Sequence, residues 1–323
     1  MKYIIQKLAS AARKNSIVGR VGEFATRPEP ILNTITSRYP LGTNIYEFDW
    51  DLLVILDTCR VDALQHVKSE YGFLNQIDSI WSVGSSSPEW VQKTFVEDYE
   101  DEIKNTIYVT ANPWAEHILD ENNYLEAGWP DWKTVPIDSL KLVDHVWKAR
   151  DRTSASIHPE GTAAPEIVTD RAISLGRKHD FDRMIVHYVP PHHSYVANAA
   201  NDDRELKPYE KHPFQLLRDG RDMEPIWEAY LDELRLGLDW VKVLLSNLDA
   251  PKTIISSDHG DAFGEFGLYM HNPALLDPNV KKVPWAITSA KDKYEREGQK
   301  NDYENIAGDL PQREEQLRAM GYL

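Results

Sequence analysis

Hydrophobic positions follow two periods along this chain. Leu52-Leu53-Val54-Ile55-Leu56 is an unbroken apolar run that stops at Asp57. Thr253-Ile254-Ile255 behaves likewise before Ser256-Ser257-Asp258-His259-Gly260, and Met184-Ile185-Val186 precedes His187. Runs without polar alternation predict strands buried on both faces, as in parallel sheets. Elsewhere the period is helical. From 227 to 248, Trp227, Leu231, Leu234, Leu238, Val241, Leu244, Leu245 and Leu248 share one face, which predicts a core-facing helix feeding the strand before Asp258. Residues 165 to 177 also read as helix, and further helices open near Val61 and at Pro88. Such an order predicts an α/β fold, a mostly parallel central sheet flanked by helices on both faces, with ligands gathered at the carboxyl ends of its strands. Between 198 and 223 the chain turns polar and charged, which predicts an excursion near the mouth of a site.

Composition narrows the class. At 323 residues and 41% apolar content the chain can fill one large core. The single cysteine, Cys59, offers no intrachain disulfide and fits a reducing compartment. A formal charge of −16 favours solubility and disfavours nucleic acid as a partner. No window approaches eighteen consecutive apolar residues, so no membrane-spanning helix is expected, and Met1 to Asn15 lacks the apolar stretch of a secretory signal. Residues 1 to 27 stand apart: Lys2, Lys7, Arg13, Lys14, Arg20 and Arg27 oppose Glu23 alone, so the segment carries +5 and the remainder −21. There Ile4, Ile5, Leu8, Ala11 and Ala12 recur at helical spacing, giving a basic amphipathic helix. It suits contact with an anionic membrane surface, or packing on its own acidic domain. The expected layout is an extension over 1–45 and a catalytic domain over 46–323, cytoplasmic and peripheral on the inner membrane face. No repeat, P-loop or dinucleotide fingerprint is found.

The chemistry-bearing positions are the strand ends. Asp57 and Asp258 offer hard anionic oxygens and His259 a ring nitrogen, while Gly260 permits a sharp turn beside a bound ion. For Asp57 the bland reading is a cap for the helix near Val61.

These positions lie in motifs that resemble the alkaline-phosphatase superfamily, specifically its sulfatase-like branch. Asp57-Thr58-Cys59-Arg60-Val61-Asp62 is similar to that branch's D-T-x-R-x-D, and Ser257 to Glu265 to its S-D-H-G-E-x-x-G-E. His187-Tyr188-Val189-Pro190-Pro191-His192-His193-Ser194-Tyr195 resembles H-Y-x-x-P-H-x-P-Y, Met270-His271-Asn272-Pro273 its G-H-P, and Lys282-Val283-Pro284-Trp285 its V-P-W. The close, Gln316 to Leu323, is similar to L-x-x-L-G-Y-L. The motifs keep family order across 46–323.

The resemblance implies an alkaline-phosphatase-like fold and a hydrolase or phosphotransferase acting on phosphate or sulfate esters. It implies one divalent ion held by Asp57, Asp258, His259 and a serine oxygen, with Arg60, His192 and His271 facing the transferring group. The donor set favours Mn²⁺ or Zn²⁺ over Ca²⁺ or Mg²⁺. Pro190 stands where several two-metal relatives carry an Asp, which speaks against a second metal. The nucleophile motif, C-x-P-x-R or S-x-P-x-R, appears as Ser86-Ser87-Pro88-Glu89-Trp90, which picks Ser86 and leaves Ser85 and Ser87 as alternative registers. Trp90 in place of arginine points to unmodified serine and a covalent phosphoserine rather than the formylglycine of a sulfatase. A sulfatase and a non-catalytic ligand-binding member remain the alternatives. For His187 the expected role is a packed core histidine, and for Arg60 a structural partner of Asp62 or Asp57 competes with the catalytic one. If the basic segment meets a membrane, a lipid- or glycan-linked substrate follows. Ala127 to Trp132 carries aromatics suited to sugar stacking or to packing.

Overall fold

A computed structural model describes residues 41–120, 132–148 and 163–298. The basic segment 1–27, most of the expected extension, residues 127–131 and the closing Gln316–Leu323 lie outside the described residues. Asn44 and Ile45, at the end of that extension, are already buried in the domain.

Nine strands are described: β1 (Leu52–Leu56), β2 (Gln76–Trp81), β3 (Thr106–Thr110), β4 (Leu142–His145), β5 (Arg183–Tyr188), β6 (Ala250–Ser256), β7 (Ala262–Phe263), β8 (Tyr269–Met270) and β9 (Lys282–Ala290). Seven form one sheet in the order β2-β9-β6-β1-β5-β3-β4. β1 pairs in parallel with β5 and β6, and β3 with β4 and β5. β9 runs antiparallel to both β6 and β2, so it alone opposes the common direction. β7 and β8 form a separate hairpin. The expected mostly parallel sheet is therefore observed. β2, β3 and β4 are elements that the apolar-run pattern did not announce.

The apolar run of β1 works in two directions because successive side chains point to opposite faces. Leu52, Val54 and Leu56 enter one core and Leu53 and Ile55 the other. Each side chain buried in this way contributes roughly 1.5–3 kcal/mol of hydrophobic stabilisation. The first core is covered by α1 (Val61–Val67), α4 (Pro165–Lys178) and α5 (Glu224–Leu245), the second by α2 (Ser87–Thr94) and α3 (Trp114–Leu119). α5 spans 22 residues and buries Leu231, Leu234, Leu238, Val241, Leu244 and Leu245, the stripe that the period predicted. The charged stretch after Asn198 folds into short helices, Pro208–Lys211 and Pro213–Arg218 among them. No helix among the described residues is long and apolar enough to cross a membrane.

Candidate active site

Three neighbouring parallel strands, β6, β1 and β5, end at one place, and each delivers a polar side chain there. Asp57 follows β1, Asp258 and His259 follow β6, and His187 is the penultimate residue of β5. All four are fully buried. Asp57, His187 and Asp258 each offer one donor atom, and these atoms lie within 4.8 Å of one another. His187 Nε2 stands 3.8 Å from an oxygen of each acid. His259 Nε2 lies 3.3 Å from Asp258 and 3.7 Å from Asp57.

Outer contacts aim these groups. The Asn112 amide, just beyond β3, donates to Asp57 Oδ2 at 2.9 Å. His187 Nδ1 meets the Tyr108 hydroxyl at 2.9 Å, and Trp90 packs edge-on against the ring at 5.7 Å. His259 Nδ1 faces the Gly260 carbonyl at 3.0 Å. A proton on each Nδ1 leaves each Nε2 as a lone-pair donor toward the acids. Ser257 ties the two central strand ends together, accepting from Cys59 N at 2.9 Å and donating to Leu56 O at 2.6 Å.

Electrostatics describe a cation cradle. Burial, then repulsion from Asp258, pushes Asp57 well above the usual carboxylate range. Burial also drives Asp258 upward, but His259, His187 and the Ser87 hydroxyl outweigh it and hold that carboxyl below its ordinary value. Burial lowers His187 to about 4, so it is neutral at neutral pH. Two of its atoms are orphaned: Asp57 Oδ1 and His187 Nε2 are buried without a hydrogen-bond partner. Buried polar atoms of this kind call for an explanation, and a divalent ion supplies one. The residues present thus fit one metal, with His187, expected as a packed core histidine, as a third candidate donor beside the two acids. A polar residue near the carboxyl end of an apolar parallel strand was the available signal.

Of the three serines, Ser87 is the one whose hydroxyl lies among the acids. Ser87 Oγ lies 2.7 Å from Asp258 Oδ2, 3.3 Å from Asp57 Oδ2 and 3.3 Å from His259 Nε2. Ser86, the expected residue, is the N-cap of α2, and its buried hydroxyl makes no hydrogen bond. Ser85 points the other way, toward Glu89 at 2.7 Å. The x-P spacing does not say where α2 begins, and its first residue, Ser87, is the serine that meets the acids. Gly84 enables the close approach: a Cβ there would stand 2.4 Å from the backbone nitrogen of Trp90.

Arg60 does not face the site. Nε and Nη2 bind Asp62 at 2.9 and 2.7 Å, Nη1 binds Glu265 at 2.6 Å and the Asp261 carbonyl at 3.1 Å, and Nη2 also reaches Asn279 at 3.2 Å. A guanidinium has five N–H donors, and all five are spent on structure. Gly260 also serves packing rather than an ion, since a Cβ would stand 2.1 Å from the Asn279 carbonyl.

His192 and His271 do join the cluster. The His271 ring lies 4.4 Å from that of His259 and 5.2 Å from that of His192. His271 Nδ1 bonds Asp261 at 2.6 Å, and His192 Nδ1 meets the His193 carbonyl at 2.5 Å.

With this geometry in view, the motif resemblance holds at the level of placement, since the segments after β1, β5 and β6 and the serine loop converge. Among solved structures the chain is similar to phosphoethanolamine transferases. The soluble domain of lipooligosaccharide phosphoethanolamine transferase A from Neisseria meningitidis is 14% identical, with TM-score 0.45, 74% of this chain covered and 76% of that one. The integral membrane form of that protein is 13% identical at TM-score 0.48, with 90% of this chain covered, and the chain spans 59% of its length. The C-terminal periplasmic domain of phosphoethanolamine transferase EptC from Campylobacter jejuni is 13% identical at TM-score 0.45, covering 74% and 78%. No protein-family profile and no curated protein sequence matches the chain.

Proposed function

We propose that the chain is a metal-dependent phosphoester hydrolase or phosphotransferase with Ser87 as its nucleophile. The observation that carries this reading is the Ser87 hydroxyl held 2.7 Å from Asp258 beside the Asp57–His187 donor pair. Asp57, Asp258 and His187 would hold one divalent ion, and the mixed oxygen and nitrogen donors suit Zn²⁺ or Mn²⁺. Such an ion supplies Lewis acidity that favours the alkoxide form of a nearby hydroxyl.

The chain's own groups account for the rest. Ser87 Oγ bonds to phosphorus while the ester oxygen leaves, giving a phosphoserine. Ser86 forms no side-chain cap on α2, so the first-turn amides are not spent on that side chain and favour an anion at this end of the helix. Asp261 faces Nδ1 of His271, which fixes a tautomer with a proton on Nδ1 and leaves Nε2 to accept the proton of the water or alcohol that resolves the phosphoserine. His192, beside it, spends its Nδ1 proton on the His193 carbonyl, which leaves its Nε2 as a second acceptor near His271. Water as acceptor makes the protein a hydrolase and a second alcohol makes it a transferase. The basic amphipathic pattern of residues 1–27 supports a substrate at an anionic membrane surface, lipid- or glycan-linked.

Assays of protein loaded with Zn²⁺ or Mn²⁺ against phosphomonoesters, phosphodiesters and sulfate esters test the proposal. Turnover of a phosphate ester with a phosphoryl group trapped on Ser87 is expected. Inactivity toward every ester with either metal would overturn it in favour of a ligand-binding protein, and formylglycine in the intact mass would favour a sulfatase.

A further inference from the structure

Beneath the serine loop lies a buried ionic group that the proposed chemistry does not use. Glu89, in the first turn of α2, is 1% exposed. Its Oε2 accepts from Ser85 N at 2.8 Å, Ser85 Oγ at 2.7 Å and Ala274 N at 3.1 Å. Its Oε1 accepts from Lys93 Nζ at 2.5 Å, and Lys93 is 3% exposed. Ser85 Oγ continues the network, lying 2.9 Å from the Asn272 carbonyl and accepting from Leu275 N at 3.0 Å. Asn272, Ala274 and Leu275 follow His271 directly along the chain.

An ordinary i,i+4 pair on a helix involves only Lys93 and is worth a few tenths of a kcal/mol. This pair is buried, and burying two charges is costly unless every lone pair finds a donor. Here the donors come from the loop carrying Ser87 and from the segment carrying His271. We propose that Glu89 is a positioning residue that sets the separation of Ser87 and His271 by clamping their two loops together through Ser85, Ala274 and Leu275. The inference rests on the functional reading above, in which Ser87 attacks and His271 serves the second step. Glu89 meets no substrate and acts through Ser85.

Glutamine cannot replace it. With its carbonyl toward Ser85 and Ala274, its amide faces the Lys93 ammonium; flipped, the amide faces backbone donors. Either way donors oppose donors in a buried place.

The test compares the full chain with Glu89→Gln and Ser85→Ala, measuring amide hydrogen exchange, Zn²⁺ affinity, and kcat and KM for a chromogenic phosphate ester. In Glu89→Gln the Ala274 and Leu275 amides should lose protection while the β1 and β6 amides keep it. Zn²⁺ affinity should hold, because Asp57, His187 and Asp258 hang from strand ends. A displacement of the order of 1 Å at a reacting group should lower kcat at least about tenfold at little changed KM. Ser85→Ala should fall less far, since Glu89 keeps Ser85 N and Ala274 N; it also serves as the readout if Glu89→Gln does not fold. An active wild type with unchanged kcat in both variants would overturn the clamp alone. A kcat loss matched by loss of Zn²⁺ binding and of protection throughout the sheet would overturn it too, marking a merely stabilising ion pair. An inactive wild type would instead overturn the functional reading and the positioning role with it.

Discussion

Replacing Ser87 and Ser86 separately by alanine distinguishes two adjacent hydroxyls with opposite expected outcomes. Ser87→Ala removes the group bonded to Asp258 at 2.7 Å. Loss of a hydrogen bond to a charged acceptor costs about 1.5–3 kcal/mol of stability, and loss of a nucleophile should lower turnover by at least about 10³-fold. Ser86→Ala removes a buried hydroxyl that makes no hydrogen bond. Its burial is an uncompensated cost, so its removal should be neutral or stabilising by up to about 1 kcal/mol, with turnover within about threefold of wild type. Calorimetric unfolding, phosphate-ester turnover and intact mass after quenching read all three effects. Only Ser87→Ala should lose the phosphoryl adduct. An inactive Ser86→Ala beside an active Ser87→Ala would refute the geometry on which the nucleophile rests.

Further outcomes follow from the same contacts. Asp258→Ala should abolish Zn²⁺ uptake in isothermal titration, because it removes one of three donors and leaves Asp57 and His187 too few to hold an ion tightly. Arg60→Lys should cost about 2–3 kcal/mol in calorimetric unfolding, since three ammonium donors cannot replace five; a loss of turnover at unchanged stability would instead return Arg60 to the substrate. Glu233, buried in α5, accepts from Val196 N and Ala197 N, and burial pushes its carboxyl up to about 8. Its stabilising contribution is complete below the ordinary carboxyl range and fades as pH rises through about 8. Glu233→Gln, which keeps the accepting oxygen, should match wild type near pH 5 and exceed it by a few kcal/mol near pH 9; parallel melting curves at both pH values would dismiss the effect.

Strand ends proved the most legible part of the site. An apolar run broken by an acid leaves little room for error about where Asp57 and Asp258 emerge, because a carboxylate inside the run would be buried without partners. The stripe of α5 was equally plain, since 3.6-residue periodicity survives over several turns. Three features were not readable. His187 sits inside a strand buried on both faces, and only pairing of β5 with β1 shows that its ring lies beside Asp57. Three consecutive serines straddle the start of α2, and their composition does not say at which of them the helix begins. Arg60 bears the same motif whether it meets a substrate or an internal acid, and its partner Glu265 lies on a turn whose direction depends on the hairpin of β7 and β8. β2 escaped notice because an edge strand with alternating exposure contains no long apolar run.

The order of strands in the sheet also dictates when a growing polypeptide can assemble the proposed cation site. β1 is made before β5 and β6, yet Leu52 must pair with Met184 on one side and Thr253 on the other before the three donors meet. Contacts of such long sequence separation form late and slowly. A nascent or truncated chain ending before β6 lacks Asp258 and cannot assemble the cradle, so the cation site we propose forms only once β6 has been made.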